Sequence, residues 1–206
     1  MLDDLYLMKF KRKLKPVASS RKSSDRPKKS LYFIAVLPDE KFLNQVLEIK
    51  KYIQERYFSS HALRSPGHIT LHMPFKWRED RAGMLVKTLA KFVEGRAKFE
   101  VNLNGFQAFA PKVIYINVEE NEELSDLYAD LGKIARVKLK LLNADFKGRG
   151  FNPHMTVAFR DLKPAIFKQA WSEFETREIK HAFEVSSVVL LKHNGINWDV
   201  FRKFEF

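Results

Sequence analysis

Two short segments of this chain carry a histidine followed two residues later by a threonine. They read GHITLHM at residues 67–73 and PHMTVAF at residues 153–159. Apolar residues alternate with polar ones in both, which is typical of a half-buried strand whose side chains point alternately to two faces. We therefore expect each strand to present an imidazole and a hydroxyl on one face. These are His68 and Thr70 in the first segment, and His154 and Thr156 in the second.

Two strands that each present an imidazole and a hydroxyl could carry out acid–base chemistry at phosphorus. Histidine has the side-chain pKa nearest to neutrality, so one imidazole can accept a proton from an attacking water while another protonates the leaving oxygen. Threonine hydroxyls can donate hydrogen bonds to the non-bridging phosphate oxygens. A single tripeptide of this kind is weak evidence. Two such tripeptides in similar sequence surroundings are stronger evidence, and together they contain two of the four threonines of the chain.

The elements that must position the two segments occur in the same order twice. The order is strand, helix, histidine strand, helix and strand, an internal duplication. Hydrophobic periodicity and turn residues predict the following elements. They are strands at 31–37, 68–75, 99–110, 113–118, about 154–159, 183–192 and 198–206, and helices at 40–58, 80–94, 121–139 and 164–176. We expect two α+β lobes, at about 31–110 and 111–206, packed about a pseudo-two-fold axis so that both histidines face one cleft.

Composition excludes several other kinds of site. The 206 residues include no cysteine, which excludes disulfides and thiolate metal sites. No apolar run reaches the ~18 residues of a transmembrane helix, and the acidic start does not fit a signal peptide. A cytoplasmic location is therefore expected. The proposed chemistry needs no metal or cofactor, and the sequence offers no convincing glycine-rich nucleotide loop or paired carboxylates.

Residues 1–30 form a basic leader, and residues 31–206 form the expected single domain. The leader holds ten Lys or Arg against three Asp, in a chain of net charge +12. With few apolar residues to bury, it is predicted to be disordered. It could be an arm that attracts nucleic acid through phosphate charge. It could equally be a solvated tail, or lie upstream of a functional start at Met8 or later.

The paired segments resemble the two-histidine (2H) phosphoesterase superfamily, which includes 2′-5′ RNA ligases and RNA 2′,3′-cyclic phosphodiesterases. The resemblance rests on HITL at 68–71, on HMTV at 154–157 and on the repeated order of elements, and it covers about residues 31–206. It implies a bilobal α+β fold with antiparallel sheets lining a central cleft. It also implies that both histidines and both threonines are catalytic, with no cofactor. The implied substrates are RNA with a cyclic-phosphate end, 2′-5′ linkages or small cyclic nucleotides, and a monomer is favoured.

Other residues near the segments are further candidates for contact with a polyanionic substrate. His72 lies four residues after His68, so on a regular strand it would share the site face, in contact with substrate or at the cleft rim. A metal site with the other two histidines would need to span about 13 Å of strand. Basic and aromatic neighbours could hold phosphates or stack on a base, or could be loop charge and core. They are Arg64, Lys76, Lys147, Arg149, Arg160, Trp77 and Phe151.

Two functions other than an enzyme remain open at this point. A binding module of the same fold would hold RNA or a nucleotide without turnover, with the leader adding affinity. A structural or protein-interaction domain would have no use for the two motifs together. The structural domain requires His68 and His154 to lie on opposite outer surfaces, so the relative position of the two imidazoles separates this alternative from the enzyme and the binding module.

Overall fold

The computed structural model describes residues 27–142 and 150–206, so Lys147, Arg149 and most of the leader lie outside the described residues. The described part contains eight strands, four α-helices and two short 3-10 helices. The strands are β1 (Lys29–Val36), β2 (Ile69–Arg78), β3 (Phe99–Phe109), β4 (Val113–Val118), β5 (His154–Ala158), β6 (Lys180–Val185), β7 (Ser187–His193) and β8 (Trp198–Glu205). The α-helices are α1 (Glu40–Tyr57), α2 (Ala82–Val93), α3 (Glu122–Val137) and α4 (Pro164–Phe174), and the 3-10 helices are His61–Arg64 and Glu79–Arg81.

All eight described strands form one antiparallel sheet in the order β6-β3-β4-β5-β2-β1-β7-β8. The two histidine strands meet at its centre, where β2 and β5 pair through Ile69 and Met155. The sheet therefore has two four-stranded halves joined at a short contact, where the resemblance implied two separate sheets. The expected α+β class with antiparallel strands around the two motifs is confirmed.

The two halves of the sheet are not consecutive parts of the chain. A boundary near residue 110 does not separate them, because β3 and β4 on either side of it pair with each other. The predicted strand at 183–192 is two strands. Its first part, β6, pairs with β3 at one edge, and its second part, β7, pairs with β1 in the other half. The sequence signal for this break is the pair Ser186-Ser187, which interrupts the alternation of apolar and polar residues, and the prediction passed over it.

The helices cover one face of the sheet and leave the other face to the site. The main core packs apolar residues of the strands against those of the helices, among them Val46, Ile53 and Leu131. Helix α1 packs on β5 and α3 packs on β2, so each helix supports the histidine strand of the opposite half. Asp39 and Asn121 begin these two helices by accepting hydrogen bonds from the backbone of Phe42 and Leu124.

The opposite face carries a smaller apolar cluster, here called the cleft-face cluster. It consists of Phe33, Ala35, Val189 and Leu191, with Leu37 and Trp198 packed against it. Because Phe33 and Ala35 alternate along β1 with core residues, this cluster lies on the face of the sheet away from the helices. None of the described helices is long and apolar enough to span a membrane.

Replacing Ile53 by alanine is expected to lower the free energy of unfolding by about 2–5 kcal/mol, because Ile53 is fully buried between α1 and the sheet. The matched control is Ile196→Ala, which removes the same atoms from a side chain that is 69% exposed and should change stability by less than about 0.5 kcal/mol. Urea unfolding of both variants measures the difference. Equal losses would show that α1 does not belong to the cooperative core.

Candidate active site

The central strand pairing brings the two motifs side by side. Ile69 pairs with Met155 in antiparallel register. Extending this register by one residue in each direction puts Thr156 opposite His68 and Thr70 opposite His154. Each histidine therefore faces the threonine of the other motif, and the four side chains form a compact group on one face of the sheet. The charge of His154 contributes to the lowered pKa of His68, as expected for neighbouring rings.

The two imidazoles are held in the same way. Nδ1 of His68 lies 2.8 Å from the carbonyl oxygen of Pro66, and Nδ1 of His154 lies 2.8 Å from that of Asn152. A carbonyl oxygen only accepts hydrogen bonds, so each Nδ1 carries a proton and each neutral ring has an unprotonated Nε2. Neither Nε2 has a hydrogen-bond partner among residues 27–142 and 150–206. Both are therefore available to take a proton, and each can give one up only after it has been protonated.

Aromatic side chains fix the orientation of both rings. The ring of His68 packs against Phe33 with centroids 4.8 Å apart, and Phe33 in turn meets Trp198 at 4.7 Å. The ring of His154 contacts Phe109 and Tyr115, each at 5.1 Å. These walls restrict both imidazoles to narrow ranges of rotation and reduce their exposure to water.

Burial favours the neutral form of both imidazoles in the free protein. Burial, with smaller contributions from the charges of Lys50 and His154, lowers the pKa of His68 to about 4. Burial also lowers the pKa of His154, while the hydrogen bond to Asn152 acts in the opposite direction. A phosphate anion bound between the rings would favour the charged form and raise these pKa values. A bound anion would therefore favour protonation of an imidazole that burial otherwise keeps neutral.

Helix α1 holds the loop that positions His68, through two residues that the sequence analysis missed. Lys50 is only 2% exposed, and its Nζ donates a hydrogen bond to the carbonyl oxygen of Ser65 at 3.0 Å. A Cβ at Gly67 would lie 3.0 Å from Cγ1 of Val46, so the loop packs closely on the helix. The sequence signal for the burial of Lys50 was its position, because it follows Val46 by four residues and so lies on the apolar stripe of α1.

Burial of Lys50 predicts a pH dependence of stability. Its pKa is lowered from 10.5 to about 8 in the folded chain, so the unfolded chain binds more protons between those values. The contribution of Lys50 to the free energy of unfolding should therefore rise as the pH increases from about 8 to 10.5. The full rise corresponds to about 3 kcal/mol. The variant Lys50→Met should not show this rise in the free energy of unfolding. Urea unfolding of the wild type and the variant at pH 7.5 and pH 10 provides the measurement. Parallel pH profiles for the two proteins would contradict the assignment.

His72 does not lie on the site face, so the expectation from a regular strand is wrong. Ile34 pairs with His72 while the next residue of β1, Ala35, pairs with Thr70, which makes Leu71 an extra residue. This β-bulge changes the alternation and turns His72 towards the core. His72 is 2% exposed, its ring contacts Phe75, and its Nδ1 lies 2.8 Å from the carbonyl oxygen of Met73.

The other predicted binding residues lie in several places. Arg64 ends a 3-10 helix just before the loop of His68, and Lys76 lies near the other end of β2; both are exposed. Phe151 stacks on Tyr128 of α3 with centroids 4.0 Å apart, which covers one face of its ring. Trp77 packs against the core, and Arg160 is exposed with Nη1 3.2 Å from Nε2 of His61.

The arrangement supports acid–base chemistry between two imidazoles, flanked by two hydroxyls. Among the described residues, no group of three or more His, Cys, Asp or Glu side chains is placed to hold a metal ion. The alternative of a structural domain required the histidines on opposite outer surfaces, and the pairing of β2 with β5 excludes that placement.

Solved structures of other proteins share the fold of this chain. TT0787 of Thermus thermophilus has a TM-score of 0.57 at 18% identity, covering 85% of this chain and 97% of its own. LigT of E. coli, solved with 3′-AMP, has a TM-score of 0.55 at 15% identity, covering 87% of this chain and 99% of its own. At these identities the likeness establishes the fold alone.

Sequence relatives and a family model go further than the fold. A Bacillus pumilus protein named "Putative phosphoesterase" is 29% identical over 184 residues, covering 84% of this chain and 95% of its own. A Geobacillus kaustophilus protein of the same description is 27% identical over 180 residues, covering 84% of this chain and 94% of its own. The model of the 2′-5′ RNA ligase superfamily matches residues 38–197, which contain both histidine motifs. The chain therefore belongs to the 2′-5′ RNA ligase superfamily of two-histidine phosphoesterases.

Proposed function

We propose that this protein is a phosphoesterase that opens 2′,3′-cyclic phosphates or cleaves 2′-5′ phosphodiester bonds, at RNA ends or in small nucleotides. His68 and His154 serve as general acid and base, and Thr70 and Thr156 bind the non-bridging oxygens of the phosphate. The observation that carries the proposal is the matched pair of imidazoles. Each is fixed at Nδ1 by a backbone carbonyl and leaves Nε2 available on one face of the sheet.

The reaction balances with these four side chains and one water. Water attacks phosphorus while the Nε2 of one histidine takes its proton, forming a new P–O bond. The bond from phosphorus to one ribose oxygen breaks on the opposite side. That oxygen takes the proton that the Nε2 of the other histidine acquires from solvent when the phosphate anion binds beside it. The threonine hydroxyls donate hydrogen bonds to the oxygens on which negative charge accumulates. The product is a phosphate monoester with a free ribose hydroxyl, and proton exchange with solvent resets the two imidazoles.

The family and its relatives support the general class of the proposal, and the ligands of a neighbour support the nucleotide. Crystals of LigT contain 3′-AMP, ATP or phosphate in separate structures. Two of these ligands are nucleotides and the third is phosphate, so all three carry the phosphoryl group that two imidazoles and two hydroxyls would recognise. A non-catalytic module of the same fold could bind such ligands as well, so turnover is the decisive measurement.

The test is to incubate the protein with a 2′,3′-cyclic mononucleotide in the presence of EDTA and to follow the reaction by ³¹P NMR. We expect the cyclic phosphate signal to be replaced by that of a monoester. Binding of the nucleotide with no conversion after long incubation would support the non-catalytic module instead. A parallel assay with a 2′-5′-linked dinucleotide asks which of the two bond types the enzyme cleaves.

A further inference from the structure

A pocket at the end of the sheet has no part in the proposed mechanism. It has a volume of about 680 Å³ and is lined by the adjoining ends of β1, β2 and β7 and the first half of β8. The lining is mostly charged or aromatic. Its ionisable and aromatic members are Lys28, Lys29, Lys76, Lys192, His193, Glu79, Asp199 and Phe201. Four cations against two carboxylates give the pocket a net positive charge.

Two of the lysines are free to meet an anion. Glu79 forms ion pairs with Lys28 and Lys192, at 3.4 and 2.9 Å. Together with Ser30, these contacts lower the pKa of Glu79 to about 2. Lys29 and Lys76 are exposed and form no ion pair with any residue in the described part of the chain.

Lys29 and Lys76 lie on the same face of the sheet as the histidine pair. Leu31 pairs with Lys76, and Lys29 precedes Leu31 by two residues, so the two lysines are diagonal neighbours. Residues two apart on a strand point to the same face, so Lys29 and Leu31 lie on the face of β1 that carries Phe33 and the cleft-face cluster. A ligand that begins at His68 could therefore reach both ammonium groups without leaving this face.

A row of aromatic rings connects the histidine pair with the pocket. Phe33 contacts both His68 and Trp198, and Trp198 meets His193 with centroids 4.9 Å apart. His193 lines the pocket. Within this row Phe33 is buried, whereas Trp198 and His193 are half-buried and expose part of their rings to solvent. Aromatic rings interleaved with cations are the usual means of holding an unpaired nucleic acid strand without reading its sequence.

The sequence that precedes the pocket along the chain is also basic. Residues 1–26 hold eight Lys or Arg against three Asp, and they join the described chain directly before Lys28. Lys28 itself lines the pocket. The basic sequence is thus attached at the pocket rather than at a distant part of the fold.

We propose that Trp198, His193, Lys29 and Lys76 form an RNA track, which binds the nucleotides preceding a terminal 2′,3′-cyclic phosphate. Bases stack on the two rings, and backbone phosphates meet the two lysines. The preferred substrate is then the 3′ end of a single-stranded RNA rather than a free cyclic nucleotide. This inference rests on the proposed function for the position of the terminal phosphate.

The test compares kcat/KM for a 2′,3′-cyclic mononucleotide with that for a pentanucleotide RNA ending in the same cyclic phosphate. We expect the wild type to prefer the RNA at least tenfold. Lys29→Gln/Lys76→Gln should reduce this preference about fivefold or more. It should also flatten the fall of log(kcat/KM) with log[salt] by about 0.7 for each phosphate that no longer meets a lysine. Trp198→Ala should reduce the preference without changing the salt slope.

The matched control is Lys87→Gln/Lys91→Gln, which removes the same charge from exposed positions on α2 and should keep the preference. Thermal unfolding verifies that each variant is folded, and the double lysine variants alter only exposed side chains. A wild type that hydrolyses both substrates equally, or a preference that all variants retain, would overturn the track and leave the proposed function standing.

If neither substrate is hydrolysed, the proposed function is rejected, and a binding measurement then tests the RNA track on its own. Fluorescence anisotropy of a labelled pentanucleotide ending in a 3′-phosphate reports on the track without turnover. We expect the RNA to bind more tightly than 3′-AMP and the variant Lys29→Gln/Lys76→Gln to lose this advantage. Equal affinity of the wild type and this variant for the RNA would contradict the track.

Discussion

Replacing His68 or His154 by alanine is expected to reduce kcat/KM for a 2′,3′-cyclic nucleotide by about 10²–10⁴-fold, the usual contribution of a general acid or base. In the proposed mechanism the two imidazoles serve two oxygens on opposite sides of phosphorus, so neither can take over the role of the other. Since both act in one displacement, the double variant should lose much less than the product of the two single losses.

The matched control is His181→Ala, because His181 lies on the edge strand β6 and pairs with Asp39 rather than with the site. Its activity should stay within about twofold of the wild type at equal folded concentration. Urea unfolding of all variants separates loss of chemistry from loss of fold. Full activity in both single variants would reject the two-histidine mechanism, and loss in only one of them would reject the symmetric division of roles.

Protonation of these two histidines should depend on the ligand. In the free protein both pKa values are lowered, that of His68 to about 4. We expect addition of inorganic phosphate at pH 6 to shift the imidazole NMR signals of at least one of them towards the protonated form, because a nearby anion favours the charged state. Signals that do not move at saturating phosphate would show that the anion binds elsewhere.

The sequence predicted most of the elements because the chain keeps one periodicity through each of them. The period of 3.6 residues in α1 and the apolar run of β1 correspond to the helix and strand that form there. The placement of His68 near His154 also followed from sequence, since two alternating strands at similar positions in a repeated order of elements suggested a duplication. The family model then confirmed the resemblance that rested on these motifs.

The sequence failed where a single residue changes the geometry. Leu71 is an ordinary strand residue, so nothing marked it as the bulge that turns His72 into the core. Ser186 separates two strands that belong to opposite halves, and the predicted strand passed over the polar pair Ser186-Ser187 that interrupts its alternation. Lys50 lies on the apolar stripe of α1, but the sequence does not show which loop that stripe meets in the fold, and this loop supplies the hydrogen-bond acceptor for its ammonium group.

Replacing Thr70 or Thr156 by valine is expected to reduce kcat by about 10²-fold while changing KM little. Valine keeps the shape and removes only the hydroxyl, so the loss measures the hydrogen bond to phosphate. Donors aimed at developing charge typically contribute about 10²–10³-fold to kcat. Thr→Ser variants keep the hydroxyl and should retain most of the activity.

Thr88→Val is the matched control, because the hydroxyl of Thr88 donates to the carbonyl oxygen of Met84 on an exposed helix. It should leave both kinetic constants near their wild-type values. The division between kcat and KM decides what the threonines do. A raised KM with unchanged kcat would mean that they hold the substrate equally in the ground and transition states. A fall in kcat would place their hydrogen bonds at the transition state, which a module that only binds nucleotides has no need to stabilise.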